Sequence, residues 1–160
     1  MDLRFHTALT SEEQLHHGLA SAQPLALADR VRYSEIDVLN HVNNKAYMSW
    51  FETLRVAYFD LFCADHFAGG PEPRTVLRNA NIHYVREMLA DEDYITTARV
   101  TAFRNSSYTM EQQIWSGGVL RCTMIGVMVL RTPDGLNGYP LPDSLKQDFA
   151  QRDGARLETA

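Results

Sequence analysis

The densest run of side chains able to do chemistry is residues 32–47, RYSEIDVLNHVNNKAY. Asp37 supplies a carboxylate, His41 an imidazole, and Asn40, Asn43 and Asn44 amides. From Asn44 the spacing changes. Apolar residues recur at Tyr47, Trp50, Phe51, Leu54, Ala57, Tyr58, Leu61 and Phe62, steps of three and four that predict a helix over residues 44–64. Asp37 therefore sits about two turns' worth of chain ahead of a helix start. A helix start presents unbonded backbone N–H groups and a partial positive charge, which can hold an anion or a developing oxyanion. A carboxylate brought by a loop to a carbonyl polarised in that way is the minimum equipment for hydrolysing an activated acyl group. The carboxylate acts on water as general base, or attacks as nucleophile.

Each of these residues also has a plainer reading. Asp37 can bond its own backbone in a turn. Asn43 can cap the helix. His41 can orient the loop, and Tyr47 lies on the apolar stripe and can be core. Cys63 and Cys122 stand far apart, belong to no paired-ligand spacing, and read as two free thiols in a reducing compartment. No second ligand stands at a useful offset from His41, so no metal site is expected.

The remaining sequence must supply a scaffold. Residues 25–33 partly alternate and predict a first strand. After Arg74 the period shortens, and residues 76–87, 94–104, 107–115 and 119–131, rich in Val, Ile, Thr, Tyr and Met, predict four more. The breaks at 90–93, 105–106 and 117–118 are short enough to make sequential strands antiparallel neighbours. The order of strand, long helix, then four strands predicts an α+β domain, with a curved antiparallel sheet wrapped around one central helix. Open strand edges in such a layer favour a homo-oligomer. Residues 24–142 are the expected domain. Residues 1–23 precede it as an appendage, with a short helix opening at Ser11 ahead of Glu12 and Glu13. Residues 143–160 follow as a helix over 143–152 and a tail disordered from Asp153.

Composition narrows the class further. The 160 residues carry a formal charge of −5, which disfavours non-specific nucleic-acid binding. No apolar run approaches the ~18 residues of a membrane span, and residues 1–22 lack the basic-then-apolar order of a secretion signal. A cytoplasmic chain is expected.

The pattern Asp37-x-x-x-His41-Val42-Asn43-Asn44-x-x-Tyr47, followed by Trp50-Phe51-Glu52 and Arg55, resembles the 4-hydroxybenzoyl-CoA thioesterase-like branch of the hotdog-fold acyl-CoA thioesterases. The resemblance extends through Ile82-x-Tyr84-x-Arg86, the Ser-containing segment 105–108 and Pro140-Leu141-Pro142, and covers about residues 25–142. It implies a hotdog fold, a homodimer or homotetramer with its active site at a subunit interface, and hydrolysis of acyl-CoA or acyl-carrier-protein thioesters without metal or organic cofactor. It further implies Asp37 as the catalytic carboxylate and the Asn44 amide as the group that polarises the thioester carbonyl. His41 joins them as a catalytic-site residue, and Asn43, Tyr47, Ser106 and Ser107 as residues lining the substrate. Two rivals share the fold. One is a non-catalytic acyl-CoA binding module. The other is a hydratase, disfavoured because His41 and Asp37 share one loop.

Overall fold

The apolar stripe that begins at Tyr47 decides the architecture, because a helix carrying it must bury that face against a sheet. In the computed structural model, which describes residues 1–159, the helix α2 runs Asn44–Phe62. Around it in chain order are α1 (Ser11–His16), β1 (Leu25–Arg30), β2 (Arg74–Tyr84), β3 (Asp93–Phe103), β4 (Ser107–Ser116), β5 (Val119–Arg131), α3 (Asp143–Arg152) and the short β6 (Arg156–Leu157). Strand order in the sheet is β1-β3-β4-β5-β2, with β6 added parallel to β3. The β1–β3 pair is antiparallel, with Leu25 opposite Ala98 and Arg30 opposite Asp93.

One expected pairing fails. β2 and β3 are consecutive in sequence but are not neighbours; β2 lies beside β5 at the far edge. The linking segment does not turn back on itself. Val85 and Arg86 donate their amides to the Arg121 carbonyl, and Met88 is fully buried while its carbonyl accepts from Val42. The linker is thus tied into the core and carries the chain across the sheet.

The chain packs as two compact units, and α2 and the longer strands contribute residues to both. In the first unit (Met1–Val56, Ile82–Ala98, Gln112–Met124) the first half of α2 lays Tyr47, Trp50 and Phe51 against Met88, Tyr94, Ile114, Cys122 and Met124. Trp50 stacks on Tyr94 with ring centres 4.0 Å apart. A buried Gln112 donates to the Phe51 carbonyl at 2.9 Å and accepts from Arg55 at 3.1 Å, which satisfies a polar group in the middle of this core.

The N-terminal arm belongs to the same unit and covers the β1 edge. Phe5 bridges Ala28, and the amides of His6 and Leu9 donate to the carbonyls of Ala28 and Ala26. Leu9 and Leu19 bury with Ala26, Ala28 and Ile95. The α1 cap is Thr10 rather than Ser11. Its hydroxyl accepts from the Glu13 amide, and the Glu13 carboxylate accepts from the Thr10 amide at 2.7 Å. Buried Gln14 then fastens the arm's end by bonding Leu9 and both the amide and the carbonyl of Gln23.

In the second unit (Ala57–Asn81, Arg99–Glu111, Ile125–Ala160) the rings of Tyr58, Phe103, Tyr108 and Phe149 gather. The expected disorder from Asp153 is not found. Asp153 is buried and accepts from the Tyr58 hydroxyl at 2.5 Å, the Val100 amide at 2.8 Å and Arg152 at 2.8 Å. Three donors compensate one buried carboxylate, which a count of charges in the tail cannot reveal. Of the expected helix stripe only Leu61 is exposed, at 58%. Both cysteines are free and buried, and burial pushes each thiol up to about 12. No helix among the described residues is long and apolar enough to cross a membrane.

Two outcomes follow from the arm. Gly18 has φ +91°, and a Cβ there would stand 2.6 Å from the Gly118 Cα. Gly18→Ala is expected to lower stability by about 1–3 kcal/mol, read by thermal denaturation. The Glu13 carboxyl is held down at about 2, first by its hydrogen bond from Arg4 and then by the Thr10 amide. A depressed acid contributes stability above its ordinary value of 4.5 that is lost as pH falls through the folded value. Protection of the arm amides from hydrogen exchange should therefore decline between about pH 5 and 2, and Glu13→Gln should flatten that decline.

Candidate active site

The segment ahead of α2 is a narrow loop closed by its own backbone. Ile36 and Val42 form an antiparallel bridge, the Asp37 amide donates to the His41 carbonyl at 2.9 Å, and the Asn40 amide to the Asp37 carbonyl at 3.0 Å. Asn40 takes the left-handed conformation, φ 61°, which asparagine tolerates better than most residues. Asp37 Oδ1 accepts from the Leu39 amide at 2.8 Å and the His41 amide at 3.4 Å. Oδ2 has no bonding partner among the described residues. The side chain thus forms the turn with one oxygen and keeps the other available.

Asn43 caps α2. Its Oδ1 accepts from the Ala46 amide at 2.9 Å, while its own amide and its Nδ2 both donate to the Glu35 carbonyl, at 2.8 and 2.9 Å. Asn44, the first residue of the helix, keeps its amide without an acceptor among the described residues. The Asn44 carbonyl accepts from the Tyr84 hydroxyl at 3.4 Å.

Glu35 is the residue that sequence reasoning missed. Its carbonyl holds Asn43, and its carboxylate accepts from the Trp50 indole at 2.6 Å and the Arg32 amide at 2.8 Å. One side chain joins the loop to the second turn of α2. The three-residue step from Arg32 to Glu35 is a capping-box spacing and was the available signal.

Asp37, His41, Asn43, Asn44 and Tyr47 all line one open hollow of about 430 Å³. Leu39, Val42 and Tyr84 give it apolar wall, and Lys45, Arg86 and Glu87 give it charge. His41 Nε2 lies 4.0 Å from the Glu87 carboxylate. The Tyr47 ring packs against Tyr84 at 5.2 Å, while burial pushes its hydroxyl up to about 12. Tyr84 ends β2 and Arg86 lies in the linker beyond it; the triplet Ile82-x-Tyr84-x-Arg86 entered the sequence reading only as part of the resemblance. Ser106 and Ser107 do not line this hollow. They belong to the second unit and line a different one, beside Arg104 and Lys146.

Chemically, the hollow offers a carboxylate oxygen, a helix-start amide, cationic side chains and an apolar wall. That set can polarise a carbonyl and direct a water or a carboxylate onto it. No group of three or more His, Cys, Asp or Glu among the described residues is placed to hold a metal ion.

Comparison with known proteins bears on the same segment. The thioesterase superfamily protein of Jannaschia sp. CCS1 is 35% identical, with 95% of this chain and 97% of that one aligned at a TM-score of 0.86. A thioesterase of Thermus thermophilus, crystallised with coenzyme A and Zn, is 26% identical over 82% of this chain and 96% of its own, TM-score 0.71. The Bacillus subtilis protein YsmA is 28% identical over 80 residues; this chain spans about half the length of that curated relative. The model of the Thioesterase-like superfamily matches residues 31–149, from just after β1 into α3. The chain belongs to this superfamily of hotdog-fold thioester hydrolases.

Proposed function

We propose that the chain hydrolyses the thioester of an acyl group carried on coenzyme A or on a carrier protein. The observation that carries this reading is the meeting, in one hollow, of an Asp37 oxygen without a partner and the unbonded Asn44 amide that opens α2. The Asn44 amide, aided by the helix dipole, stabilises the oxyanion that forms on the thioester carbonyl. Asp37 either draws a proton from the attacking water, after which the C–S bond breaks and the thiolate leaves and takes up that proton, or it attacks the carbonyl itself, expels the thiolate and leaves an acyl anhydride that water hydrolyses. His41, beside Glu87, orients that end of the loop. Leu39, Tyr47 and Tyr84 receive the acyl group, and Asn43 holds the helix start in place. The coenzyme A held by the Thermus thermophilus relative supports a coenzyme A ester as substrate.

In this reading residues 24–142 form the working domain, and the flanking segments secure it. Two free cysteines suit a reducing cytoplasm. The chain works as a homodimer or homotetramer. The arm covers the β1 edge, but β2 ends the sheet with no further strand beside it among the described residues and with Val76 and Tyr84 about half exposed.

A second reading has one observation in its favour. The two amides on Asp37 Oδ1 are a complete structural reason for an aspartate there, as expected of a binding module that does no chemistry. Thiol release from a panel of acyl-CoA esters separates the two. Asp37→Asn keeps an oxygen for the Leu39 and His41 amides, so its melting temperature should stay close to wild type. Its turnover should fall by about 10²-fold or more. Asn43→Ala should instead lower stability by about 1–2 kcal/mol and turnover with it, because the helix start loses its cap. Saturable binding of the esters without any thiol release by wild type would establish the binding module instead.

A further inference from the structure

A second hollow of the first unit, about 330 Å³, shares no lining residue with the hollow of Asp37. The register of β1 on β3 builds one side of it. Asp29 stands directly opposite Tyr94 and Leu27 opposite Thr96, so these four side chains share one face of the sheet, and all four line the hollow. Trp50 of α2 stacks on Tyr94, and Ser49 and Thr53, one helical turn apart, line the hollow beside it. Arg32 and Glu35, from the turn after β1, and His6, from the N-terminal arm, complete the polar lining.

Tyr94 is only 3% exposed, yet its hydroxyl has no hydrogen-bond partner among the described residues. A buried phenol ordinarily finds one. The described side-chain polar atoms that are both unpaired and sealed from solvent are His17 Nε2 and Arg121 Nε. The Tyr94 oxygen is not among them, so it is unpaired but open, and the space that Tyr94 lines is this hollow. Burial, and then the carboxylates of Asp29 and Glu35, push the phenol up, which keeps it neutral with a lone pair to offer.

The charges around it select a sign. Asp29 and Glu35 outnumber Arg32, and Arg32 already donates to Asp29 at 3.1 Å. The Asp29 oxygens accept from the Arg30 amide and from Arg32, and the Glu35 oxygens from the Arg32 amide and the Trp50 indole. Each of these oxygens keeps a further lone pair. His6 Nε2 lies 3.6 Å from Asp29 on a largely exposed side chain. An ammonium group has three donors and no acceptor, which complements a wall of phenol and carboxylate oxygens. Leu27, Leu54 and the Trp50 ring give the same hollow an apolar side.

We infer that this hollow binds an organic ammonium ion, whose N–H groups donate to Tyr94, Asp29 and Glu35 and whose apolar body lies against Leu27, Leu54 and Trp50. The inference is independent of the thioesterase reading, and its test reads binding alone. Phenethylamine is titrated by calorimetry into the full chain at low salt and about pH 8, above the ordinary range of imidazole protonation. Its neutral counterpart, phenylethyl alcohol, and an anion of similar size, phenylpropanoate, are titrated in parallel. The amine should bind, the alcohol should bind about tenfold more weakly or less, and the anion should give no heat of binding. Tyr94→Phe keeps the ring on Trp50 and removes only the oxygen, so it should weaken the amine by about tenfold. Asp29→Asn keeps an oxygen for the Arg30 amide and removes the charge, so it should weaken the amine by a similar factor and narrow its lead over the alcohol. The inference is overturned if the amine does not bind, if the alcohol binds as tightly, or if either variant, shown to be folded by its near-ultraviolet circular dichroism, binds the amine like wild type.

Discussion

Everything at the candidate site depends on how the first turn of α2 satisfies its backbone. A helix start leaves four amides without intrahelical acceptors, to be met by a cap, by water or by a ligand. Here Asn43 accepts from the Ala46 amide, while the amide of Asn44, a residue lining the hollow, has no acceptor among the described residues. That partial settlement is stable only because Asn43 is itself held twice by the Glu35 carbonyl, and Glu35 by the Trp50 indole. The polar loop and the aromatic core are therefore one mechanical unit. Trp50 packs against Tyr94 on one side and bonds the loop on the other.

The same division of labour within a side chain recurs at Asp37. One carboxylate oxygen builds the turn, and the other keeps no bonding partner among the described residues. A residue used in this way is held in place by its own contacts, which limits the entropy lost when a substrate arrives. The apparent conflict between a structural and a chemical reading of Asp37 then becomes a question about two different atoms.

Much of this was legible in the sequence, for identifiable reasons. The apolar period over α2 was unambiguous, and the loop residues Asp37, His41, Asn43, Asn44 and Tyr47 do share one hollow. Local rules carry that far because the loop, cap and first turn lie within a dozen residues. Long-range facts were hidden. Nothing local tells β2 to pair with β5 instead of β3, because the deciding contacts are made by Val85, Arg86 and Met88 with residues far along the chain. Burial of Asp153 was equally invisible, since its donors Tyr58 and Val100 are 95 and 53 residues away. Ser106 and Ser107, grouped with the loop by resemblance, belong to the other unit.

The burial of Cys63 and Cys122 has a practical consequence for enzymology. With each thiol pushed up to about 12 and shut in the core, the folded protein presents almost no thiolate at neutral pH. A disulfide reagent added to a reaction mixture will find the protein silent. Each sulfhydryl it counts will have come from a cleaved ester, and a sudden excess of about two per chain will report that the protein has unfolded.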